Sequence, residues 1–155
     1  MGQQQLLLLV LATVIVGLAT VAGIQAFSEG QAQASQDALV QRGTGIASDL
    51  LGAHDKPSQL GGITLSSNSS SKTEGWANAI GQPSATIDAP GAGDGGQCII
   101  KSGSADASSF NNLSSSDIDA TVDCGNGDGA DVEVVIDADA SGDRIETVIV
   151  SSASV

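Results

Sequence analysis

The residues in this chain that could do chemistry are few, and most sit in two acidic turns. Asp137-x-Asp139-x-Ser141-Gly142-Asp143 resembles the first half of a calcium loop, in which oxygens at alternate positions converge on the ion. The closing bidentate Glu is missing, because the twelfth position is Val148. Asn126-Gly127-Asp128-Gly129-Ala130-Asp131 is oxygen-rich with a less specific spacing, and polar turns of an acidic protein account for both. Asn68-Ser69-Ser70 and Asn112-Leu113-Ser114 match the N-glycosylation triplet, which arises easily by chance. His54 is the only histidine and is expected to be a solvated residue near a helix end. No serine stands in a G-x-S-x-G elbow, and Gly91-Ala92-Gly93-Asp94-Gly95-Gly96 does not lie between a strand and a helix as a phosphate loop would. The chain therefore reads as a non-enzyme that needs no cofactor.

Two cysteines remain, Cys98 and Cys124. Two thiols and one distant imidazole lack the spacing of a metal site. If their part of the chain is delivered outside the cytoplasm, a single disulfide is expected; in a reducing compartment they stay free thiols. Closing a loop of about 26 residues would stabilise the fold by roughly 3 kcal/mol in the chain-entropy account.

The charge balance narrows the partners. Eighteen acidic residues stand against five basic ones (Arg42, Lys56, Lys72, Lys101 and Arg144), a formal net charge of −13. Phosphate backbones need neutralising Lys and Arg, so nucleic acid is excluded as a partner, and an anionic membrane surface fits no better. The acids are scattered, as on a solvated, self-repelling surface.

The elements that must carry this surface are organised by Leu6 to Ile24, nineteen residues without a charge. As a helix this run is roughly 29 Å long, close to the hydrocarbon thickness of a bilayer. Water would penalise such a surface, so it must be covered by lipid or by copies of itself. The preceding Met1-Gly2-Gln3-Gln4-Gln5 has no basic residue, and the apolar run is long for a signal peptide, so the segment is expected to be retained. The helical pattern then continues. Leu39, Ile46 and Leu50, flanked by Val40, Ala47 and Leu51, form an apolar stripe, with Asp37, Gln41, Arg42 and Asp49 outside it. One helix is expected from about Gln3 to Ala53, bent or locally broken at Gly30, Gly43 or Gly45, and stopped by Lys56-Pro57.

Beyond it, Pro57 to Gly75 reads as a connecting loop, with Ile63-Thr64-Leu65 as a short strand and Ser66 to Ser71 as linker. Trp76 is expected at a core edge. Strands are expected at Ser84–Asp88, Gln97–Lys101, Asp117–Cys124, Asp131–Asp137 and Arg144–Val150, the last two joined by a hairpin. The fold class is α+β: a long N-terminal helix packed by its second half on a small antiparallel sheet with one covered face. The expected organisation is an apolar helix over 1–27, its amphipathic continuation over 28–55, a connector over 56–75 and an acidic sheet domain over 76–155.

This arrangement resembles the type IV pilin superfamily. The resemblance is carried by Gly2-Gln3 followed at once by Leu6 to Ile24, and it covers the helix, whereas the sheet and the late cysteine pair match only in arrangement. The start Gly2-Gln3-Gln4-Gln5-Leu6-Leu7, with Leu60-Gly61-Gly62 after the helix, looks close to small pilin-like proteins of the Bacteroidota. Counted from Gln3, the fifth position is Leu7, where bacterial pilins usually carry Glu. The resemblance implies cleavage between Gly2 and Gln3, residence in the inner membrane, and handling by a pilus assembly machinery. It also implies a homo-oligomeric helical filament at the cell surface, supporting adhesion or motility. Its assembly helix would present Leu6, Leu7, Leu8, Leu9, Val10, Leu11, Val14, Ile15, Leu18, Val21, Ile24 and Phe27. Gly17 and Gly23 would let helices approach closely. The rival readings are an extracytoplasmic binding module with a permanent single-helix anchor, and a minor pseudopilin of a secretion or DNA-uptake machine.

Overall fold

The computed structural model describes residues 2–67, 71–103, 117–127 and 130–151. Asn68 to Ser70, Asn112 to Ser114 and Asp128, singled out above, lie outside the described residues. The chain forms two compact units, Met1–Gln33 and Ala34–Val155.

Helix α1 spans Gly2–His54 without interruption. Its second half is held as the 3.6-residue period requires: Leu39, Ile46, Ala47, Leu50, Leu51 and Ala53 are buried, while Asp37, Gln41 and Asp49 face water. The break expected at the glycines does not occur. Gly43 is buried on the stripe, and a Cβ there would lie 2.9 Å from Val134 Cγ2 and 3.1 Å from Cys124 Sγ. The glycine serves close approach of helix and sheet, and packing outweighs its helix propensity of about 1 kcal/mol. Gly30 and Gly45 have open space beside them and nothing in the structure explains them.

The helix ends by turning its carbonyls onto the following segment. Ile63 N–H donates to Ala53 O at 3.2 Å, and Leu65 N–H donates to His54 Nδ1 at 3.3 Å. These bonds correct two expectations. Ile63-Thr64-Leu65 is not a strand, because its donors are spent on the helix end, and His54 is half-buried with a structural role. A 3-10 turn at Ser58–Leu60 makes the reversal. It closes at Gly62, where a Cβ would sit 1.9 Å from Lys56 O, so only glycine fits.

A short helix, α2 (Thr73–Ala79), was not foreseen. It places Trp76 and Ala77 in the core, Trp76 at 2% exposure, so the tryptophan belongs to the interior and not to its edge. Glu74 fixes the helix by accepting the Ala85 N–H at 3.1 Å.

Five strands follow: β1 (Thr86–Asp88), β2 (Gln97–Ser102), β3 (Ala120–Gly125), β4 (Ala130–Ile136) and β5 (Ile145–Ser151). They pair in chain order, all antiparallel, as a simple meander. One row of register partners crosses the whole sheet through Ile87, Cys98, Cys124, Val132 and Ile149. Its first four members join the core with Leu39, Ile46 and Leu50, the cover that the helix stripe provides. The other face also holds buried residues, contrary to a sheet covered on one side only. Ile118 and Val135 are fully buried with Val148 packed on them, and Thr121 is buried, its Oγ1 donating to Gly103 O. Val148 therefore serves this face while Ile145 serves the main core, as residues an odd number of positions apart on one strand must.

Candidate functional site

Along α1 the first unit exposes a large apolar surface. Leu6, Leu7, Leu8, Leu9, Val10, Leu11, Val14, Ile15, Leu18, Val21, Ile24 and Phe27 are all exposed, from 49% at Val10 to 71% at Ile24. Val16 belongs with them and was missed, although it sits inside the same uncharged run. These side chains occupy every side of the helix, so the surface is a cylinder and not a stripe. Burying a Leu or Val side chain is worth roughly 1.5–3 kcal/mol, so thirteen exposed ones amount to tens of kcal/mol of unfavourable hydration.

The polar groups of the segment are already satisfied. Thr13 Oγ1 donates to Val10 O at 2.9 Å and Thr20 Oγ1 donates to Gly17 O at 2.8 Å. The main chain is bonded within the helix. Nothing in the run therefore needs water, as an apolar environment demands. The helix is long and apolar enough to cross a membrane by length and composition. Apart from their chain neighbours and the helix's own backbone, Gly2, Gly17 and Gly23 have nothing within 4 Å of a Cβ position.

The second unit holds the remaining candidates. Cys98 and Cys124 are bonded to each other, directly opposite on β2 and β3, and both are buried. In the acidic turn after β4, Asp137 Oδ1 accepts the Asp139 N–H at 3.1 Å, closing a local turn. Asn126 is buried, its Nδ2 donating to Ala92 O at 2.9 Å, which ties the β3–β4 turn to the β1–β2 loop. Among the described residues no group of three or more His, Cys, Asp or Glu side chains could hold a metal ion.

Among the described residues, two of this unit's depressions hold candidate groups. One, of about 300 Å³, is lined by Asp117, Asp119, Asp137, Asp139 and Ala140. There burial pushes the Asp119 carboxyl up from its ordinary value, the Ala138 N–H on its Oδ2 opposes this, and the charges of Asp139 and Asp137 add to the rise. The other, of about 400 Å³, lies between Ile63, Thr64, Ser71, Lys72, Gly75 and Trp76.

No known family, curated protein or solved structure matches the chain.

Proposed function

We propose that this chain is a structural, non-enzymatic subunit of an extracellular helical filament of the type IV pilus kind, assembled through its N-terminal helix. The observation that carries the proposal is the uncharged cylinder from Leu6 to Ile24, exposed all round, whose two hydroxyl side chains, Thr13 and Thr20, bond to the main chain of the same helix. Before assembly a bilayer would cover it; in the polymer, neighbouring copies would replace the lipid. Because successive copies meet through different surfaces, the contact is head-to-tail and leads to an open polymer. The acidic Ala34–Val155 unit would coat the outside, its sheet held by the Cys98–Cys124 bond. Adhesion or motility would be properties of the whole filament.

The same helix also suits a permanent anchor for an extracytoplasmic binding module, with the sheet unit recognising a ligand. Substituting Leu11 or Val14 by Asp separates the two readings. A filament subunit loses its polymer while the sheet unit stays folded, as judged by circular dichroism of the head and an intact disulfide. Normal filaments from such variants would sink the proposal.

A further inference from the structure

We infer that polymerisation of this subunit is gated by ionic strength, with cations from solution acting as the partner of its acidic surface; this rests on the filament reading. Charge is segregated along the chain. Of the eighteen acidic residues only Glu29 precedes Ala34, and all five basic residues follow it, so the unit 34–155 carries a formal charge of −12.

The basic side chains cannot offset this between neighbours. Arg144 is engaged by Asp55 and Lys101 by Asp123 within the same subunit, and Arg42 donates to the Asp88 carbonyl. Among the described residues that leaves the charges of Arg42, Lys56 and Lys72 without a carboxylate contact, on a surface where acids outnumber bases seventeen to five. Opposite charges across a contact between two heads are therefore scarce, and like charges meet. The apolar helix draws the subunits together without regard to salt, while the heads oppose it through a field whose range is set by salt. That range is about 30 Å at 0.01 M, about 10 Å at 0.1 M and about 3 Å at 1 M ionic strength. At low ionic strength each head feels several neighbours at once, and at high ionic strength it feels none beyond contact.

The test uses filaments of the full chain sheared from cells and incubated at fixed pH in 0.01, 0.15 and 1 M NaCl. A non-ionic detergent, below the concentration that dissolves them at 1 M, gives released helices an apolar refuge. Pelleted and soluble subunit are then quantified. The inference expects a loss of polymer of at least about tenfold between 1 M and 0.01 M, reversed on restoring salt. A variant neutralising the exposed Asp37, Asp49, Asp94 and Asp143 to Asn should hold its polymer at lower salt. Equal pelleting at 0.01 and 1 M, or a neutralised variant with an unchanged threshold, overturns the inference while leaving the filament intact. Absence of polymer at every salt concentration overturns the filament reading itself.

Discussion

The Arg144 guanidinium holds both carboxylate oxygens of Asp55 at 3.0 Å, joining the residue just past α1 to the end of the β4–β5 turn. This two-point contact clamps the C-terminal end of the long helix to the hairpin farthest from it in sequence. The planar fork of Arg matches the carboxylate geometry, so Lys cannot reproduce it.

The clamp has a pH signature. The Arg144 hydrogen bond holds the Asp55 carboxyl below its ordinary value of 3.8. A depressed acid stabilises the fold fully above 3.8, and the contribution is lost as pH falls from there through the folded value. Thermal unfolding of Asp55→Asn between pH 2 and 7 should show a lower midpoint than the parent at neutral pH. The gap should close as the pH drops below 3.8.

Asp119 should behave in the opposite sense. Burial raises its carboxyl above 3.8, so the charged form costs stability at neutral pH and the cost disappears once the group is protonated in both states. Asp119→Asn keeps an oxygen for the Ala138 N–H. The variant is expected to unfold at a higher temperature than the parent at pH 7, with the advantage shrinking as pH falls past the folded value and below 3.8.

Two glycines on α1, two residues and so just over half a turn apart, should respond with opposite signs. At Gly43 a Cβ meets Val134 and Cys124 too closely, so Gly43→Ala should destabilise the head by about 1–3 kcal/mol through overpacking. At Gly45 the space is open, so Gly45→Ala should gain up to about 1 kcal/mol of helix propensity. Denaturant midpoints of the two variants, read by Trp76 fluorescence, check the pair.

Removing the bond between β2 and β3 should be costly. Cys98→Ala with Cys124→Ala releases a loop of 26 residues in the unfolded chain, an expected loss of about 3 kcal/mol. The bond is buried against the helix, so a reductant applied to the folded protein should act slowly, whereas the double variant should show the full loss at once in urea unfolding.

Much of this molecule is readable from residue order because its signals are long. The Leu39–Leu51 stripe spans several turns, and Val132, Val134 and Ile136 alternate over a full strand, so period and face agree. The failures are short or tertiary. Helix α2 is seven residues with a glycine at Gly75, too few turns for periodicity to register, and it is fixed by burial of Trp76 and the Glu74–Ala85 contact. Ile63 to Leu65 alternates like a strand but finds its partners on Ala53 and His54. The role of Gly43 depends on a sheet that lies far along the chain. For the candidate site the order reverses: the apolar run is plain in the residues, and the structure adds that Thr13 and Thr20 satisfy themselves and that Val16 shares the surface.

The most direct test of the central claim is electron microscopy of a sheared cell-surface fraction, with the subunit identified by intact mass. Thin filaments built of this chain are expected, with a mass that carries the Cys98–Cys124 bond and shows whether cleavage follows Gly2. A protein that stays wholly with the membrane pellet, with no filament in the sheared fraction, would contradict that claim and make the sheet unit an anchored binding domain.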